Sequence, residues 1–233
     1  MRKSILKRRM SRRKRKQLYT AIGFAGAAVL VLAAIALVIV LTRPGESAEP
    51  GTIRAPDYVT EDFLVKNEYS RPGKPLEKVN GIVIHYVGNP NTTAKNNRNY
   101  FNNLPKTNLK NKTEVYASAH FIVGLEGEII QCIPLSEIAY ASNTRNSDTI
   151  AIENCHPDET GEFNGKTYAS LVKLAGWLCY TYDLKEDQVI RHYDVKGKLC
   201  PLYYVEHEDA WLQLKADIMA EKEALVKEAE TGR

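Results

Sequence analysis

The chain has 233 residues, 44% of them hydrophobic, and carries 32 bases against 28 acids for a net charge of +4. That balance is uneven: ten bases fall within the first 16 residues, and after residue 42 the remaining 22 bases face all 28 acids, a net of −6. An acidic outer part argues against a nucleic-acid binder, which needs a basic face, and four cysteines spaced 23, 24 and 21 residues apart with no Cys-x-x-Cys pair argue against a small stapled scaffold.

The first element is a basic tail, residues 1–20, opening "MRKSILKRRMSRRKRK". "AIGFAGAAVLVLAAIALVIVL" follows, 21 residues without a charge. At 1.5 Å per residue this is about 31 Å, enough to span a bilayer. A cleavable signal peptide has a shorter apolar region of roughly 7–15 residues. Residues 21–42 therefore read as an uncleaved transmembrane signal anchor. The basic tail stays in the cytoplasm, and everything after the anchor lies outside the cell membrane. Residues 43–60, rich in Pro and Gly, read as a linker. Residues 61–220 form one domain, and 221–233 a charged C-terminal tail that frays beyond about Leu225.

Within the domain, "GIVIHYVGNPNT" is a buried strand with Ile82, Ile84 and Tyr86 on one face and Val83 and His85 on the other. "TTAKNNRNYFNNL" is a helix capped by Thr92 or Thr93, with Ala94, Asn97, Phe101 and Leu104 on one face. "PKTNLKNKTE" reads as a polar loop, and "ASAHFIVGLEGEIIQCIP" as a hairpin. "DTIAIENCHP" is another strand. "TYASLVKLAGWLCYTYDL" is an amphipathic helix with Tyr168, Leu171, Ala175, Leu178 and Tyr182 inward. "DQVIRHYD" is a short strand ending at His192, with a loop after it that turns at Gly197. "EDAWLQLKADIMAEKEAL" is a final helix burying Trp211, Leu214 and Ile218. Strands and helices interleave, which predicts a mixed α/β fold: a central β-sheet flanked by helices.

Three residues suited to Zn²⁺ stand at strand ends or in the loop after one: His85, His192 and Cys200. Zinc takes imidazole nitrogen and thiolate sulfur, and a catalytic site keeps three protein ligands with the fourth position open. One His or one Cys alone is more simply a packed or surface residue, and His-x7-Cys is a weak signal. HExxH is absent, which excludes the usual helix-borne zinc protease. Cysteines outside a membrane default to disulfides. Three pairings are open, and a metal-held Cys200 would leave three cysteines, at least one of them unpaired within the chain.

"GIVIHY", "SAHFIV", "IAIENCHPD" and "RHYDVKGKLCP", in that order, resemble the zinc-dependent N-acetylmuramoyl-L-alanine amidases of the phage T7 lysozyme and peptidoglycan-recognition-protein superfamily. The resemblance runs from about Tyr69 to Trp211. It implies the fold of that superfamily and zinc held by His85, His192 and Cys200. It also implies Glu153 as general base toward the attacking water, and Lys198 as the cation that steadies the oxyanion. The implied reaction is hydrolysis of the amide between N-acetylmuramic acid and L-alanine of peptidoglycan. One departure is Ala119, which stands where T7-type enzymes carry a catalytic Tyr before "HF". His120 is expected to be structural or pocket-lining, not a fourth ligand. Asn89, Asn143 and Arg145 are the expected substrate contacts. Two other readings stay open: a non-catalytic, membrane-anchored peptidoglycan sensor, and a zinc peptidase that cuts within the stem peptide.

Overall fold

The structure, a computed structural model, describes residues 53–232. The expected basic tail, the membrane anchor and most of the linker lie outside the described residues. Among those described, no helix is long and apolar enough to cross a membrane.

Six strands form one sheet: β1 (Val59–Glu61), β2 (Ile82–Tyr86), β3 (Phe121–Val123), β4 (Ile129–Gln131), β5 (Ile150–Asn154) and β6 (Val189–Arg191). Their order is β1-β4-β3-β5-β2-β6. β3 and β4 are the antiparallel hairpin read from the sequence. β3, β5, β2 and β6 run parallel, so their C-terminal ends meet on one edge of the sheet. Parallel sheets are covered on both faces, which is why Ile82, Val83 and Ile84 are consecutive, apolar and fully buried.

The helices are α1 (Ala94–Asn111), α2 (Gly165–Thr181), α3 (His192–Lys196), α4 (Leu202–Glu206) and α5 (Glu208–Thr231). One face of the sheet packs Ile82, Ile84, Ile150 and Ile152 against Leu171, Leu174 and Leu178 of α2 and Trp211, Leu214 and Ile218 of α5. Where α2 meets α5, a Cβ on Gly176 would stand 2.4 Å from Glu221 Cγ, so only glycine admits this close approach. The other face packs Ile122 and Ala151 with Ala94 and Phe101 of α1. Thr93 caps α1 in a reciprocal capping box with Asn96.

Three local expectations change. First, α1 does not stop at Leu104 but runs through Pro105 to Asn111. Pro105 can donate nothing to the carbonyl one turn back, yet Leu104 and Asn108 continue the buried face. Asn108 also ties down the following segment, donating to Val115 O at 2.9 Å and accepting from Val115 N at 3.1 Å. Second, α5 continues past Leu225 to Thr231. Third, strand β6 ends at Arg191, and His192 opens the short helix α3 instead of closing the strand. Gly197, at φ 77°, caps that helix in the left-handed region, as the turn there requires.

Arg191 holds this junction. Its backbone N–H donates to Asp194 Oδ2 at 2.8 Å, and its guanidinium donates to Asp194 Oδ1 at 2.9 Å, Tyr204 O at 2.9 Å and Glu208 Oε2 at 2.6 Å. It lies 5.2 Å from the Trp211 ring centroid. The end of β6 is thereby tied to α3, α4 and α5 together. Arg191→Ala leaves the Tyr204 carbonyl and Glu208 without their guanidinium donor and Asp194 with only the backbone N–H of residue 191, and is expected to cost about 2–3 kcal/mol. A denaturant titration checks this: the midpoint falls with the slope unchanged.

Candidate active site

The site is built where the parallel strands end, the edge at which open α/β sheets place their ligands. His85 on β2 is the register partner of Glu153 on β5. Side chains of registered residues in neighbouring strands share a face, so both point to the α1 side. β6 pairs with β2 on its other flank, and the next residue after β6 is His192. The His85 and His192 rings meet edge to face, 4.7 Å between centroids. Cys200 comes back to them because Tyr193 N donates to Cys200 O at 3.0 Å, closing the loop on itself.

The ligating atoms of His85, His192 and Cys200, all buried, lie within 4.8 Å of one another. Cys200 Sγ is 3.7 Å from His85 Nδ1, close to the roughly 3.6 Å that a tetrahedral zinc with its usual bond lengths sets between sulfur and nitrogen. His192 Nδ1 is buried with no hydrogen-bond partner. A buried orphan nitrogen beside a thiol and a second imidazole is a donor set that fits a divalent ion of borderline softness. The protonation states agree in part. Burial, then the neighbouring His192, pushes His85 well below its ordinary value. Burial, then Lys198, pulls His192 down to about 4. Both rings are neutral at pH 7, as ligands must be. Burial, then Glu153, pushes the Cys200 thiol up to about 12, so a metal must displace its proton.

Glu153 is half-buried, but its Oε2 is sealed from solvent and has no partner. Burial raises it to about 8, and Lys198 acts in the opposite direction. His85, His192, Glu153 and Lys198 line one cleft of about 480 Å³, with Tyr116 and Tyr140 also on its wall. Among the described residues, no acid pairs with Lys198 within 4 Å.

The expected substrate contacts separate. Asn143 lines the cleft. Arg145, two residues further along a three-residue 3-10 turn, falls on another side of it and is paired with Asp148 at 2.8 Å. Asn89 is exposed, its carbonyl accepts from the Thr92 hydroxyl at 2.7 Å, and it is not among the lining residues. His120 is used by the fold: its Nδ1 accepts from Ala151 N at 3.0 Å and its Nε2 bonds Glu137 O at 2.9 Å. Ala119 is wholly buried. All four cysteines are free and buried, so the default expectation of disulfides does not hold. Sequence reasoning missed Ser142, whose Oγ is 3.3 Å from His85 Nε2. A serine in an irregular loop carries no signal of such a contact.

A family model described as N-acetylmuramoyl-L-alanine amidase matches residues 75–202, a span that holds His85, Glu153, His192, Lys198 and Cys200. The chain is 35% identical over 159 residues to a probable N-acetylmuramoyl-L-alanine amidase of Bacillus licheniformis, covering 63% of this chain and 43% of that protein. It is 31% identical over 182 residues to the N-acetylmuramoyl-L-alanine amidase BlyA of Bacillus subtilis (strain 168), covering 69% and 47%. It thus spans less than half the length of the curated relatives it matches. Among solved structures, the catalytic domain of XlyA is similar at TM-score 0.56 and 26% identity, over 69% of this chain and 98% of that one. The PlyG catalytic domain, at TM-score 0.58 and 21% identity over 70% and 94%, shares the fold.

Glu153 sets a pH dependence in the metal-free protein. A carboxyl raised to about 8 on folding keeps a proton that the unfolded chain releases near its ordinary 4.5. Its contribution to stability therefore falls as pH rises from about 4.5 through 8. Glu153→Gln removes this loss. Urea titrations in chelator should show the variant and wild type alike near pH 5 and the variant increasingly the more stable toward pH 9. A difference that stays constant across that range contradicts the assignment.

Proposed function

The chain belongs to the N-acetylmuramoyl-L-alanine amidase family, and we propose that it hydrolyses the amide bond between the lactyl group of N-acetylmuramic acid and the L-alanine of the peptidoglycan stem peptide. The observation that carries this reading is the meeting of His85, His192 and Cys200 at one strand edge, with the orphaned carboxylate of Glu153 in register beside them. His85, His192 and Cys200 would hold a zinc ion, which would supply Lewis-acid polarisation and a lowered pKa for water, toward ~7.

The protein's own groups do the rest. Glu153 accepts the proton of the attacking water and delivers it to the leaving amine of L-alanine. It must be ionised to do so, and nearby positive charge favours that form; Lys198 already acts in this sense. Lys198 then offsets the negative charge that grows on the scissile carbonyl oxygen. The neutral imidazoles of His85 and His192 take no proton from the reaction, because burial holds both well below pH 7. The buried thiol of Cys200 is shielded from exchange chemistry.

We propose further that residues 21–42 anchor the chain by a single pass, with the basic residues 1–20 in the cytoplasm and the amidase domain outside. The length of the uncharged run and the position of the basic block support this. It places the domain on the side of the membrane where peptidoglycan lies.

The full-length chain, loaded with Zn²⁺, is expected to release whole stem peptides with a free L-alanine amine from purified cell wall, read by mass spectrometry. A chelator or Cys200→Ser abolishes release. Glu153→Gln slows turnover by about 10²-fold or more, and Lys198→Ala by about 10²-fold. Binding to cell wall with no release would favour the sensor reading. Fragments cut inside the stem peptide would favour the peptidase reading.

A further inference from the structure

A metal needs one nitrogen of each imidazole, and the partner of the other nitrogen decides whether the first is available. His192 Nε2 lies 2.8 Å from Asn143 Oδ1. An amide oxygen only accepts, so Nε2 carries the proton and the unpartnered Nδ1 keeps its lone pair. His85 Nε2 lies 3.3 Å from Ser142 Oγ, while its Nδ1 faces Cys200 Sγ at 3.7 Å. A hydroxyl accepts as readily as it donates, so the same tautomer suits His85. The two outer contacts come from consecutive residues on one turn between β4 and β5. That turn lies outside all four sequence segments that carry the family resemblance.

The turn is held for this task. Asn146 Oδ1 accepts from Ala141 N at 3.1 Å and Ser142 N at 2.6 Å, and Ser118 Oγ accepts from Tyr140 N at 2.8 Å. Asn143 sits at φ 53°, in the left-handed region that Asn tolerates better than most residues. Ser142 is 1% exposed. An exposed asparagine in a strained backbone conformation, with its side chain bonded to a buried histidine, is hard to account for by packing alone.

We propose that Ser142 and Asn143 are positioning residues for the metal. They hold the Nε2–H groups of His85 and His192 and so present both Nδ1 lone pairs, beside the Cys200 thiolate, to one divalent ion. This moves Asn143 from substrate contact to ligand support, and it rests on reading His85, His192 and Cys200 as metal ligands. Such outer partners fix ring orientation and raise ligand basicity.

The test uses the full-length chain and Zn²⁺ affinity measured by competition with a chromophoric chelator. Asn143→Gly keeps the freedom for positive φ and removes the acceptor. Ser142→Ala removes the hydroxyl. Each is expected to weaken Zn²⁺ binding by about 10–100-fold. Asn143→Asp retains an acceptor and keeps wild-type affinity or tightens it. Imidazole ¹⁵N shifts of the metal-free protein give a second readout: His192 is protonated at Nε2 in the wild type and becomes a tautomer mixture in Asn143→Gly. Wild-type affinity in both Asn143→Gly and Ser142→Ala overturns the proposal. A wild-type His192 protonated at Nδ1 also overturns it, and needs no variant to fold. Zinc-loaded wild type that releases no stem peptide counts against the amidase reading and leaves this one standing.

Discussion

The site depends on parallel pairing in register between β2 and β5, with β6 on the far flank of β2. His85 stands beside Glu153 because their strands start level, Ile82 against Ile150, and run the same way. β6 is one pairing further and two residues shorter in its contact, so its exit delivers His192 to the same edge. A one-residue slip of β2 against β5 would send His85 and Glu153 to opposite faces, and a slip of β6 along β2 would carry His192 away from His85. The apolar faces resist such a slip: Ile82, Ile84, Ile150 and Ile152 all belong to the core against α2 and α5. Core packing and site geometry are thus the same constraint seen from the two faces of one sheet.

That arrangement gathers groups whose charged forms are disfavoured by burial. Two imidazoles are held neutral, a carboxyl and a thiol are held protonated, and His192 Nδ1 and Glu153 Oε2 lack partners. Such clustering of shifted groups in a cleft is typical of functional sites, where stability is given up for chemistry. Arg191 shows the opposite arrangement a residue away. It is a buried charge with its acids and a carbonyl in place, and it makes the end of β6 rigid where His192 departs.

Five of the six strands were readable from local alternation, but β1 was not, since its first two residues fall in the expected linker, and the candidate ligands rested on the family resemblance because each alone is a weak signal. Alternation in "GIVIHY" put His85 on one face, and the buried face of α1 was readable from Ala94 to Leu104. The reading failed where tertiary contacts override local chemistry. Pro105 looked like a stop, yet Leu104 and Asn108 carry the helix past it. "RHYD" looked like strand running into loop, yet Asp194 and Arg191 cap a helical turn there. Asn143 was visible as a polar residue in a loop, but its partner His192 is 49 residues away. Ser142 was invisible for the same reason, since no spacing rule connects it with His85.

The proposed function stands on His85, His192 and Cys200 holding one metal ion. X-ray absorption at the zinc edge on the purified, zinc-loaded chain tests it most directly. Two nitrogen scatterers at about 2.0–2.1 Å, one sulfur at about 2.3 Å and one further light atom are expected, with the sulfur lost in Cys200→Ser. A zinc shell with no sulfur, or one unchanged by that substitution, would contradict it.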